Sequence, residues 1–178
     1  STPQACRDAL KEAFGIIMNK DEPTLQDFIA NFKTEFSNMK FEQIAFPRGV
    51  SSVSQYAARL PQKPGDRIDA SNLFVMGTPI HVKGSILYNK LVDEMKVRDK
   101  YETIANGDKI KFAYLKQPNP YRINVISAPG ELPEEFKLQS YIDYDLQFSK
   151  AYIDPLSIIL DSIGWSVEKK STLLDFFA

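Results

Sequence analysis

Asp143 and Asp145 come nearest to a catalytic pair, standing two residues apart in YIDYDLQF. On a strand they would share a face and could hold a divalent cation. On a helix they diverge by about 200°, and the apolar spacing around them is helical, which predicts a helix cap followed by a solvated acid. His81 could act as a general base, but no Ser or Cys beside it has the spacing of a nucleophile motif. Its predicted place is the first turn of a helix. Cys6 is the one cysteine; it has no internal disulfide partner, and with a single histidine it leaves no Cys/His set for zinc. Neither a Walker-type phosphate loop nor GxGxxG occurs. These residues give no support for an independent enzyme, and a metal-dependent hydrolase built on Asp143, Asp145 or His81 is the least favoured class.

Polyanion binding is better served. A helix whose cap is Thr78 and whose first position is Pro79 would set unpaired amides and a partial positive end beside His81 and Lys83. Lys83 and Lys90 fall along the same side of that helix. PRGVSS adds Arg48, backbone amides and the hydroxyls of Ser51 and Ser52 in a flexible loop. The same lysines would equally serve as solubilising charges flanking a buried stripe, so residue type alone leaves both readings open.

The elements that must position these groups follow from composition and periodicity. The 178 residues are 43% hydrophobic, 12% aromatic and 25% charged, as in an ordinary folded protein of one or two small domains. No stretch approaches the roughly 20 apolar residues of a membrane span, and STPQACRDAL lacks the pattern of a secretory signal. The expectation is a soluble intracellular protein. An opening without methionine leaves processing, tag cleavage or excision from a longer polypeptide open. A net charge of -1 hides an uneven distribution: residues 40–125 carry 14 Lys and Arg against 8 Asp and Glu, whereas residues 126–178 carry 4 against 9. A basic middle can focus field on a polyanion.

Ser1 or Thr2 followed by Pro3 predicts a helix start, and Cys6, Ala9, Leu10, Ala13, Phe14 and Ile17 form its buried stripe as far as about Asn19. A second helix near Pro23 and Thr24 carries Leu25, Phe28, Ile29, Phe32, Phe36 and Met39, and the two should pack together. FEQIAFPRGVSSVSQYA, broken at Pro47 to Gly49, and RLPQKPGDRIDAS read as exposed loop. Ile80, Gly84, Leu87 and Leu91 fall on one face of the third helix. KIKFAYLK and RINVISA are strands that should pair through the turn at Gln117 to Tyr121. Residues 141–164 predict two helices meeting at Pro155. The fold class is α+β, mostly helical, with a small antiparallel β element and a C-terminal tail.

Read in order, STPQACRDALKEA, IAFPRGVSSVSQYA, GTPIHVKGSILYN, GDKIKFAYLKQPNP, YIDYDLQFSKAYIDPL and KKSTLLDFFA closely resemble the C-terminal part of the family B replicative DNA polymerases of T-even-type bacteriophages. The resemblance runs from end to end, and the TPIHV block is similar to a segment common in the thumbs of family B polymerases. It implies a thumb-type helical domain over residues 1–168, which closes on primer-template duplex, and a sliding-clamp-binding tail over residues 169–178. A DTD-type palm signature, an SLYPS-like segment, a fingers lysine helix and exonuclease acids are missing from the sequence. The implied role is therefore that of a polymerase part with no catalytic residue of its own. No cofactor is expected in this chain, with Mg2+ confined to the palm, and the implied location is the cytoplasm of the infected bacterial host.

Position in the matching blocks, together with capacity to donate hydrogen bonds, makes Arg48, Ser51, Ser52, Thr78, His81, Lys83, Asn89 and Lys90 the candidate DNA-binding residues. Lys63, Arg67, Lys109, Lys111 and Lys116 are weaker choices. Leu173, Leu174, Phe176 and Phe177 are the candidate clamp anchors, against the alternative that the tail folds back on the domain's own core. The partners implied are duplex DNA, the palm and the clamp, and no membrane. The alternative function is a separately encoded C-terminal subunit of a split polymerase or a clamp-binding interaction protein.

Overall fold

A computed structural model describes residues 2–57 and 67–170. Helix α1 (Gln4–Asn19) starts directly after Pro3 and buries Cys6, Ala9 and Ala13. These side chains are small, so neighbouring elements approach closely along this part of the predicted stripe; Leu10 and Ile17 are half-buried, and Phe14, expected in the stripe, is exposed. Helix α2 (Glu22–Phe36) is capped by Asp21, whose carboxylate accepts the Thr24 backbone N–H at 3.0 Å, with Pro23 in the first turn. Leu25, Ile29, Phe32 and Phe36 form its buried side, and α1 and α2 pack together as predicted.

A short helix α3 (Phe41–Ile44) leads into strand β1 (Phe46–Gly49). The sequence reading has loop here, because Pro47 and Gly49 break the apolar run. The segment is instead the edge strand of a three-stranded antiparallel sheet in the order β1-β2-β3, where β2 is Lys109–Tyr114 and β3 is Val125–Ala128. An edge strand tolerates a residue without an N–H, which is why Pro47 fits. Between β1 and β2 the chain forms α4 (Ala70–Leu73) and α5 (Ile80–Glu94). The predicted pairing of β2 with β3 is observed, with Phe112 opposite Ser127, while Phe46 and Arg48 of β1 stand opposite Phe112 and Ile110. Helix α5 lies across β3. Nine of its fifteen residues are buried, a wider face than an amphipathic surface helix needs.

The last helical region differs from expectation. Helix α6 (Tyr144–Phe148), a π-helical turn (Ser149–Ile153) and α7 (Asp154–Ile163) form one run, and Pro155 sits within it instead of between two helices. Proline removes one backbone donor, and in an α-helix its ring would meet the carbonyl four residues back. A widened turn ahead of it accommodates both effects. Phe32 of α2 stands edge-on to Tyr152 with ring centroids 4.8 Å apart, and Phe36 meets Phe148 in the same way at 5.3 Å. Burying each such ring contributes about 1.5–3 kcal/mol. This cluster joins the run to α2 and makes the molecule α+β, mostly helical.

Candidate nucleic-acid interface

The start of α5 is fixed against the sheet by small polar residues. Ser85 and Ser127 both donate to the His81 carbonyl, at 2.8 and 2.9 Å. Gly84 lies directly over Ser127, leaving no room for a side chain. His81 is thereby drawn inward: it is 8% exposed and its ring lies 6.3 Å from that of Phe112. Burial lowers its pKa from the ordinary 6.5, and the nearby Arg48 guanidinium lowers it further. Thr78 does not cap the helix as predicted. Pro79 holds the N-cap position without a side-chain bond, and the buried Thr78 hydroxyl donates to the Val75 carbonyl at 2.6 Å. The loop before α5 takes the hydroxyl that the helix amides would otherwise have received.

The cationic cluster expected around this helix end is divided. His81, Gly84, Ser85 and Tyr88 share the sheet side of α5, and at about 100° per residue Lys83 and Lys90 fall on the far side. Lys83 is half-buried with its ammonium 5.5 Å from the centre of the Phe74 ring. Lys90 pairs with Glu94 at 3.1 Å. Asn89 is taken up within the fold: its amide donates to the Ile104 carbonyl at 2.9 Å and its oxygen accepts the Ile104 N–H at 2.7 Å, tying α5 to the following loop.

Arg48 occupies a different surface. It projects on the same side of the sheet as Phe46, Phe112 and Tyr114, it is exposed, and it has no ion-pair partner among the described residues. These four residues, with Lys150 and Asp154 from the long helical run, line an open recess of about 330 Å³. The Lys150 ammonium stands 5.3 Å above the Tyr114 ring. Two cations over an aromatic floor suit a phosphate and the sugar or base attached to it. Sequence reasoning found Arg48 but missed Lys150 and Tyr114. The period-two alternation of IKFAY could have placed Ile110, Phe112 and Tyr114 on one face, whereas no local signal brings Lys150 there.

Ser51 is exposed and Ser52 half-buried, close to Arg48 along the chain. Their segment is anchored, not free: the Val50 N–H donates to the Asp108 carbonyl at 2.9 Å, and the Val53 N–H donates to the Asn106 side chain at 2.6 Å. Lys111 donates to the Glu42 carbonyl at 2.8 Å, while Arg67, Lys109 and Lys116 are exposed. Lys63 lies outside the described residues, as do Leu173, Leu174, Phe176 and Phe177.

The acids behave as the periodicity predicts. Asp143 caps α6 by accepting the Leu146 N–H at 3.0 Å, and the exposed Asp145 stands 3.7 Å from Lys33. One carboxylate turned to a helix end and the other to solvent do not fit a shared divalent-cation site. Cys6 is fully buried, and burial pushes its thiol up to about 12, so it is a core residue without thiolate character.

No protein-family model matches the chain. An alignment of 177 residues, 97% of the chain, with the DNA-directed DNA polymerase of Enterobacteria phage T4 is 27% identical. The chain resembles part of a phage DNA polymerase. A second alignment, with the DNA-directed DNA polymerase of Escherichia phage RB69, covers 99% of the chain at 25% identity. In both cases the chain spans 18% of the relative's length. The resemblance to phage DNA polymerases read from the ordered sequence blocks is borne out, and the chain corresponds to a fragment of these nucleotidyltransferases.

Proposed function

We propose that this chain is the thumb of a family B phage replicative DNA polymerase, the C-terminal part that grips the backbone of primer-template duplex and, through residues 169–178, tethers the enzyme to its sliding clamp. The observation that carries this reading is the alignment of nearly the whole chain with one stretch of two DNA polymerases. The recess supports it. A thumb must hold duplex of any sequence while letting it advance, so its contacts belong on phosphates and sugars. Arg48 and Lys150 are charged, exposed and unpaired among the described residues, with the hydroxyls of Ser51 and Ser52 nearby in the chain. Lys83 contributes from the far side of α5, whereas Lys90 must first leave Glu94.

On this reading nucleotidyl transfer and its Mg2+ reside on the palm, outside the chain, and the protein works in the cytoplasm of the infected host. The tail would place two or three of Leu173, Leu174, Phe176 and Phe177 in a clamp pocket. Each would contribute about 1.5–3 kcal/mol before ordering costs, giving a modest and reversible tether.

Fluorescence anisotropy of a primer-template duplex at several salt concentrations tests the grip. Neutralising roughly four to six phosphates gives a log-log salt slope of about -4 to -5 and a Kd of about 10⁻⁴ to 10⁻⁶ M for the isolated chain. Arg48→Ala/Lys150→Ala should make the slope shallower by about 2. Lys90→Ala should change it less, because that charge is already engaged by Glu94. A chain that ignores duplex even at low salt would overturn the reading.

A further inference from the structure

The recess beside Arg48 holds more than a grip on phosphate requires. Its floor is a row of aromatic rings: Phe46 and Phe112 lie with centroids 5.3 Å apart and planes 30° from parallel, and Tyr114 meets Phe112 edge-on at 6.1 Å. Phe112 is buried, whereas Phe46 and Tyr114 are half-buried and leave part of their surface to solvent. Lys150 covers Tyr114, and among the described residues no cation stands over the Phe46 ring.

We infer that this recess takes an unpaired nucleotide of DNA, its base laid on Phe46 and its flanking phosphates met by Arg48 and Lys150. The inference rests on the reading of the chain as a DNA-binding part of a polymerase, and adds to it the form of DNA that this site holds best.

The aromatic floor decides between forms of DNA. Paired bases are stacked on one another, so a duplex can offer phosphates to the two cations but no base face to the rings. An unpaired base has a free face, and its stacking on an aromatic side chain tolerates any sequence. The cations are placed to suit it. Arg48 stands opposite Ile110 and Lys150 over Tyr114, four residues further along β2, or about 13 Å. The row of rings therefore has a charge at each end, just as a nucleotide within a strand has a phosphate on each side of its base. Size agrees as well. At about 330 Å³ the recess is near the lower end of the roughly 300–1,000 Å³ of small-ligand sites, room for a base with its sugar but not for the width of a duplex. Asp154, on the wall of the recess, repels phosphate but can accept from a base amino group such as N4 of cytosine.

The test is anisotropy of three labelled duplexes titrated with the full chain: one fully paired, one with a single extra unpaired dC, and one with an abasic residue in place of that dC. The last two carry equal phosphate charge, so the difference between them isolates the base. The dC duplex should bind about tenfold more tightly than the abasic one, the effect of one stacked base. Phe46→Leu, which keeps an apolar side chain but removes the ring, should bring that ratio close to one. In the parent chain, amide shifts that differ between the dC and abasic duplexes should centre on Phe46, Arg48, Tyr114 and Lys150. A ratio that survives Phe46→Leu, or shifts centred elsewhere, would overturn the inference. Equal binding of all three duplexes would overturn it alone and leave the duplex grip standing, whereas binding of none would remove both.

Discussion

Gly84 of α5 rests on Ser127 of β3 so closely that an added Cβ would lie 2.6 Å from the Ser127 backbone nitrogen and 2.9 Å from the Ile126 carbonyl carbon. Two of the atoms it would meet are backbone, so no rotamer change relieves the clash. Alanine normally favours a helix over glycine by about 1 kcal/mol. Here Gly84→Ala should destabilise the protein by about 1–3 kcal/mol, through overpacking that lifts α5 off the sheet. Urea denaturation measures this; a variant as stable as the parent would mean that α5 and β3 do not make this contact.

Asn89 pairs with both backbone groups of Ile104, so Asn89→Ala should cost about 1–3 kcal/mol by leaving them unsatisfied. Duplex affinity of the folded variant should match the parent in the anisotropy titration. Weakened binding at unchanged stability would instead return Asn89 to the DNA surface.

His81 has a folded-state pKa below its ordinary 6.5, first through burial and then through Arg48. The unfolded chain therefore takes up the proton more readily. The stability His81 contributes is fully present above about pH 6.5 and is lost as pH falls through the folded pKa. His81→Gln should flatten that part of a stability-pH profile followed by urea midpoints. Duplex bound at Arg48 would add negative charge nearby and move the His81 pKa upward, a shift readable from the ring proton resonances of the one histidine.

Tyr152 donates its hydroxyl to the Ala9 carbonyl at 2.8 Å, joining the π-helical turn to α1. Tyr152→Phe keeps the ring edge-on to Phe32 while removing that bond, so a loss of about 1 kcal/mol is expected in thermal or urea unfolding. A neutral substitution would show that the aromatic packing alone holds the two elements together.

Local periodicity and cap chemistry fixed much of this architecture before any tertiary contact was considered. The stripes of α1 and α2, the β2-β3 pairing, the cap role of Asp143 and the core role of Cys6 all depend on neighbours a few residues away. β1 escaped that reading because an edge strand is defined by its partner: Phe46 and Arg48 become strand residues only opposite Phe112 and Ile110. Pro155 was misread for a related reason, since a lone proline marks a helix start unless packing, here of Phe148 and Tyr152 on α2, keeps the run continuous. The candidate interface divides in the same way. The sequence by itself supplied Arg48, His81 and the lysines of α5 as a set, along with the phage polymerase resemblance. Only the tertiary structure decided that burial withdraws His81, that Asn89 and Lys90 are engaged by Ile104 and Glu94, and that Lys150 joins Arg48 over Tyr114. Burial and charge pairing depend on which surfaces meet after folding, and that information is non-local.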